Sequence, residues 1–219
     1  YFSVGPTAPA AIRWMINTVF MAVMSMIFTC ITAAMAGYAL AKKRFVGRKL
    51  LFTLIVCAMA LPKQVILIPL LREMSALNLY NTIWAVIFPI VGWPFGVFLM
   101  KQFYEGVPTE LCEAARIDGL SEYGIWWHIM LPLSLPALST LTIFTFVNTW
   151  NDFLGPLIYL TKTELKTIQI GLRMFITQYS AEYGLIMAAS VVALIPVLIV
   201  FLSLQKYFVQ GVASTGIKG

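Results

Sequence analysis

Charge is scarce in this chain. Only 11% of its 219 residues are charged, nine residues are acidic, and there is one histidine, His128. A lone histidine does not supply a His-centred metal site. Cysteine is sparse too. Cys30, Cys57 and Cys112 are odd in number and far apart, with no metal or redox spacing, and they read as small apolar helix residues. Three catalytic signatures are missing: the G-x-x-x-x-G-K-[ST] loop that cradles nucleotide phosphates, H-E-x-x-H and G-x-S-x-G. No nucleophile stands beside a base. The sequence therefore reads as non-catalytic, with no metal and no cofactor of its own. The chain starts at Tyr1 rather than Met and has no signal-peptide pattern, so an N-terminal piece is expected to precede it.

What is present is apolar. The mean hydropathy is +0.87 and 60% of residues are hydrophobic, which points to a membrane protein. A bilayer core of about 30 Å takes about 20 apolar residues per helix. Five runs qualify: 18–41, 50–71 with Lys63 as its one charge, 82–100, 129–151 and 183–205. They are continuous rather than alternating, which favours helices over a barrel. The fold class is all-α and polytopic, a single membrane domain over 1–219 without internal repeat or flexible linker.

The net charge of +6 follows topology rather than nucleic acid. Lys42, Lys43, Arg44, Arg48 and Lys49 crowd one short loop, and such loops stay cytoplasmic. Residues 72–81 and 162–182 then lie outside, and 101–128 and the C-terminus inside. Lys63 has two readings, snorkelling outward or facing a path through the protein. The runs are punctuated by Pro62, Pro69, Pro89, Pro94, Pro132, Pro136 and Pro196. Proline kinks helices. This punctuation fits either ordinary membrane composition or bent helices lining a path that opens and closes. The outer loop 162–182 is too polar to span and too apolar for a plain linker; it is expected to fold back or meet something outside.

One segment does not suit lipid: EAARIDGLSEYGIWWHIMLP, residues 113–132. Val107-Pro108-Thr109 reads as a helix start, with Thr109 as cap and Glu110 and Glu113 in the first turns, where the dipole favours carboxylates. Cys112 stands where a full capping box needs Glu or Gln. Gly119 suits a left-handed stop, and Ser121 can cap a second short helix over 122–130. Leu111, Ala114, Ala115 and Ile117 offer a small apolar face; Glu113 and Asp118 offer charge to a basic partner. A helix this short is not stable alone in water. It is either a linker on the membrane surface or a docking element.

The same segment resembles the EAA motif of ABC importer permeases: E-A-A, three residues, G, about a dozen residues, L-P. Glu113-Ala114-Ala115, Gly119 and Leu131-Pro132 match, and Asp118 completes the D-G pair of carbohydrate-type permeases. Trp126 stands where that subfamily has Phe, Ile129 keeps its apolar position, and Leu120 replaces a frequent Ala. Arg44-Phe45-Val46-Gly47-Arg48 is similar to the R-F-x-G-K loop, Trp150-Asn151-Asp152-Phe153 to W-N-[DE]-F, and Gly211 to Gly219 to the tail of the smaller membrane subunit of maltose-type importers. The resemblance implies the binding-protein-dependent ABC importer permease (MetI-like) fold, with six spans, five of them visible here. It implies residues 108–131 as a cytoplasmic coupling segment, in which Glu113, Ala114, Ala115, Asp118, Gly119, Leu131 and Pro132 serve the ATPase contact. The implied partners are a second homologous permease, two ABC ATPase subunits carrying ATP and Mg, an extracytoplasmic solute-binding protein and the lipid bilayer, in a bacterial or archaeal cytoplasmic membrane. The implied cargo is a sugar or oligosaccharide. Alternatives are another small solute such as a phosphorylated polyol, a self-sufficient secondary transporter, or a polytopic membrane enzyme. Asn148, Trp150, Asn151, Asp152 and Tyr159, with Lys63 and Gln64, are candidates for the substrate path; Trp150 and Asp152 equally suit a membrane-interface marker.

Overall fold

The structure, a computed structural model, describes residues 8–178 and 183–215. In chain order its helices are α1 (Ala8–Lys42), α2 (Arg48–Met59), α3 (Lys63–Ala76), α4 (Trp84–Val91), α5 (Pro94–Glu105), α6 (Glu110–Ile117), α7 (Glu122–Ile125), α8 (Leu131–Leu133), α9 (Leu135–Trp150), α10 (Leu154–Tyr159), α11 (Ile168–Gln178) and α12 (Tyr183–Thr215). A π-helical turn, Trp126–Met130, joins α7 to α8. No strand occurs among the described residues.

Three helical stretches are long and apolar enough to cross a bilayer: Ala11–Lys42, Trp84–Glu105 and Met187–Gln205. Two bent pairs, Arg48–Met59 with Lys63–Ala76 and Glu122–Leu133 with Leu135–Trp150, raise the number to five when each pair is one span. The five apolar runs are thus where these elements lie, but two of them are broken. The second run divides before Lys63, at Pro62, a residue with no N–H to continue a helical ladder. The fourth divides at Ser134, between Pro132 and Pro136. Inside the Trp84–Glu105 stretch the ladder also lapses at Gly92 and Trp93, and Pro94 restarts it at a first-turn position.

The described helices form two compact units. One takes the first part of α1, α3, α4 and the chain from the end of α9 to Ser203. Its core holds Ala22, Phe146, Trp150, Ile168 and Ala193. Residues 163–168 return onto α1. Trp14 Nε1 donates to the Thr163 carbonyl at 2.7 Å, Asn17 Nδ2 to the carbonyls of Glu164 and Lys166, and the Ile168 N–H donates to Thr18 Oγ1 at 2.9 Å. Residues 179–182 lie outside the described residues. Asn81, at φ 59°, accepts from the N–H groups of Thr161 and Lys162 with its side-chain oxygen.

The other unit takes the rest of α1, α2, and α5 through most of α9. Ala33, Ala34, Tyr38, Met100, Tyr104, Cys112, Ala115, Ile125, Met130 and Leu141 pack together in its core. Small residues let the backbones approach, since lipid offers no hydrophobic drive between helices. A Cβ on Gly37 would stand 2.6 Å from Met100 Cβ and 2.8 Å from the Lys101 nitrogen.

Candidate functional site

The segment between α5 and α9 begins at α6. Thr109 occupies the cap position with helical dihedrals and no side-chain cap bond. The expected Thr109 cap is therefore absent; the preceding chain enters already wound, which points the hydroxyl away from the free N–H groups. The other two local expectations hold. Gly119 has φ 83°, and the N–H of Leu120 reaches the Ala115 carbonyl while that of Gly119 reaches Arg116, the paired bonds of a Schellman stop. Ser121 Oγ accepts from the Gly124 N–H at 3.2 Å, capping α7.

The faces of α6 divide differently from the expectation. Cys112 and Ala115 are buried in the unit's core, whereas Ala114 is exposed with Glu113, Leu111 and Ile117. Ala115 therefore anchors the helix, and Ala114 belongs to its outer face. Asp118 and Gly119 are exposed at the corner, Leu131 is half-buried and Pro132 exposed at the bend before α9.

Behind the corner sits a cluster that local spacing does not reveal. Glu122 Oε2 accepts from Tyr38 Oη at 2.9 Å and pairs with Lys43 Nζ; its Oε1 accepts from Arg116 Nε at 3.0 Å. Tyr38 and Lys43 come from the end of α1 and the loop after it, and Arg116 from α6. Lys43 first, then the Tyr38 hydroxyl and Arg116, hold the Glu122 carboxyl well below the usual carboxylate range, against a smaller opposing effect of burial. Lys42 Nζ donates to the Val107 carbonyl, a second tie from α1 to the start of this segment.

The second grouping is a cavity of about 390 Å³ in the first unit, lined by Lys63, Gln64, Leu67, Val147, Asn148, Asn151, Asp152, Phe153 and Leu154. Five of the seven path candidates thus meet: Lys63, Gln64, Asn148, Asn151 and Asp152. Lys63 does not snorkel alone; its Nζ lies 2.7 Å from Asp152 Oδ2, whose side chain is 9% exposed. Trp150 and Tyr159 are not in the lining. Trp150 is buried, stacked on Phe146, with Nε1 donating to the Ala193 carbonyl at 3.1 Å. Tyr159 is buried below Gly155. The tail that carries the Gly216 to Gly219 match lies outside the described residues.

A multi-span helical protein with broken spans, an exposed acidic helix and a polar cavity has the build of a membrane transport subunit. The chain belongs to the family of binding-protein-dependent transport system inner membrane components, whose pattern matches residues 33–214. Among its relatives, the arabinooligosaccharides transport system permease protein AraQ of Halalkalibacterium halodurans is 39% identical over 206 residues, covering 94% of this chain and 74% of that protein. The lactose transport system permease protein LacG of Rhizobium radiobacter is 33% identical, covering 89% of this chain and 71% of LacG. A crystal structure of a bacterial ABC transporter involved in the import of the acidic polysaccharide alginate has a similar chain. Its TM-score is 0.79 at 26% identity, and the match covers 91% of this chain and 75% of that one.

Proposed function

We propose that this chain is one membrane subunit of an ATP-driven importer and passes a sugar or oligosaccharide into the cytoplasm by alternating access. A second homologous permease, two ABC ATPase subunits and an extracytoplasmic binding protein complete the complex. ATP and Mg reside on the ATPases. The observation that carries this reading is α6, anchored inward through Cys112 and Ala115 while Glu113, Ala114, Leu111 and Ile117 face out. An eight-residue helix with that outer face gains by docking, and Glu113 offers a charge-assisted hydrogen bond to a basic ATPase residue. ATPase closure shifts α6, and the bend at Leu131-Pro132 passes the motion to α9.

Orientation follows from the basic loop. Loop residues bonded to the first turns of α1 (Thr163 to Ile168) are those expected outside; those bonded near its end (Val107, Glu122) are expected inside. The membrane is the bacterial or archaeal cytoplasmic membrane, with the C-terminus inside. The cavity between α3 and the end of α9 suits a hydroxyl-rich solute, since amides and an ion pair can both donate and accept.

Purification from native membranes and reconstitution with the binding protein test the proposal. ATPase subunits should co-isolate, and vesicles should take up arabinotriose, lactose or maltotriose only with ATP. Glu113→Ala should cut uptake and ATPase retention together. Unchanged retention and uptake in that variant, or isolation without any ATPase, would refute it.

A further inference from the structure

The Glu122 cluster adds a polar tie among α6, α7 and the end of α1, beyond the packing of Tyr38, Cys112 and Ala115 in one core. α6 and α7 are separated by the Gly119 corner, where φ is 83° and the outward surface is open: a Cβ there would meet nothing within 4 Å. A glycine corner held by its two Schellman bonds and open on its outer side yields to motion more readily than a packed one. The carboxylate of Glu122 closes that corner from behind. One oxygen holds Arg116 in the last turn of α6; the other holds Tyr38 and Lys43 at the end of α1. The connection continues inward. The Tyr38 ring packs edge-on against Tyr104, with centroids 6.2 Å apart, and the Tyr104 hydroxyl shares a 3.0 Å hydrogen bond with Ser134. Ser134 is the residue at which the fourth span breaks. A chain of polar bonds and one edge-on ring contact therefore runs from α6 to the foot of α1 and to the bend before α9, parallel to the covalent route through Leu131-Pro132.

We propose that Glu122 is a positioning residue for energy coupling: it locks α6 to the end of α1, so that motion of the docked helix enters the first span instead of being lost at Gly119. This rests on the docking of α6 proposed above. Arg116 is the matching contact on the α6 side. A transmitted motion has a reciprocal effect, because whatever lets the ATPases move the spans also lets the resting spans hold the ATPases back. Cutting the lock should then release hydrolysis from the permease. An ordinary exposed ion pair contributes little and predicts no such release.

The measurement is ATP hydrolysis by the assembled complex with neither solute nor binding protein present, normalised to ATPase subunits retained. Glu122→Gln keeps an acceptor for Tyr38 but loses both charge pairs. Arg116→Gln removes one exposed side chain and leaves the buried groups alone. Both should raise this basal rate about five-fold or more, the low end of typical coupling free energies. Arg116→Lys, which keeps the charge, should stay near the parent rate, and the double variant should not exceed Glu122→Gln alone. A structural role alone would instead lower yield and leave the rate per complex unchanged. If Glu122→Gln does not assemble, Arg116→Gln decides. Parent-like basal rates in assembled Arg116→Gln complexes overturn the inference. Should Glu113→Ala leave ATPase retention intact, it is the docking reading that fails; should Glu113→Ala detach the ATPases while Arg116→Gln stays coupled, only the present inference falls.

Discussion

Gly37→Ala tests how closely α1 and α5 are packed. The added methyl would sit 2.6 Å from Met100 Cβ, 2.8 Å from the Lys101 nitrogen and 2.9 Å from the Met100 carbonyl carbon. Carbon atoms prefer about 3.5–4.0 Å, so the helices must part by roughly 1 Å. Two of the three clashing atoms are backbone, and no rotamer change relieves them. Overpacking of this kind costs about 1–3 kcal/mol. Alanine regains about 0.5–1 kcal/mol of helix propensity over glycine, leaving a net loss between about zero and about 2.5 kcal/mol. The control is Gly184→Ala in α12, where a Cβ meets nothing within 4 Å and only the propensity gain applies. The assay is the apparent melting temperature of the detergent-purified complex. The two variants should move in opposite directions, with Gly37→Ala lower by several degrees, since about 1 kcal/mol shifts a chain of this size by roughly 2–4 °C. Stability of Gly37→Ala equal to or above that of Gly184→Ala would show that the helices do not approach as described.

Three further outcomes are expected. Lys63→Met should lower stability more than a surface-pair variant does, because Asp152, 9% exposed, loses the cation that faces it; adding Asp152→Leu should recover most of the loss in the same melts. Trp150→Phe should destabilise by about 1–3 kcal/mol through loss of the buried bond to the Ala193 carbonyl and of packed ring area, while the order of preference among transported sugars stays as in the parent; a reordered preference would place the ring in the path. Glu122 has its carboxyl held down to about 2 in the folded chain, so its stabilising contribution should be complete above its ordinary value of 4.5 and fade as pH falls from there toward 2. Limited proteolysis of the 113–132 segment against pH reads this, and Glu122→Gln should lack the added protection at neutral pH.

What the sequence disclosed and what it hid divide by distance along the chain. The Gly119 stop and the Ser121 cap were legible because their partners lie within five residues, where residue type alone selects the dihedrals. The broken spans were legible as prolines, although not which of them break: Pro69, Pro89 and Pro196 stay inside helices, while the chain divides at Pro62 and beside Pro132. The lock on Glu122 was hidden because Tyr38 is 84 positions away. The inward turn of Ala115 was hidden too; alanine carries no preference between core and docking face, and only the buried neighbour Cys112 fixes the rotation of α6. The cavity was half legible. Its amides and Asp152 came from the right stretch, but Trp150, one position from Asn151, points into the packing against Phe146 and Ala193.

The strap of 163–168 across the start of α1 is held mainly through its main chain, with the Ile168 side chain buried in the core and an exposed Arg13–Glu164 pair at 3.8 Å beside it. Trp14 and Asn17 address carbonyls of residues 163, 164 and 166, and Thr18 takes an amide of residue 168. None of these four bonds consults a side chain of the strap. Its outline is thereby settled largely by main-chain bonds and one buried side chain, so a substitution at exposed Lys162, held by its main-chain N–H, can retune what this surface greets without redrafting its shape.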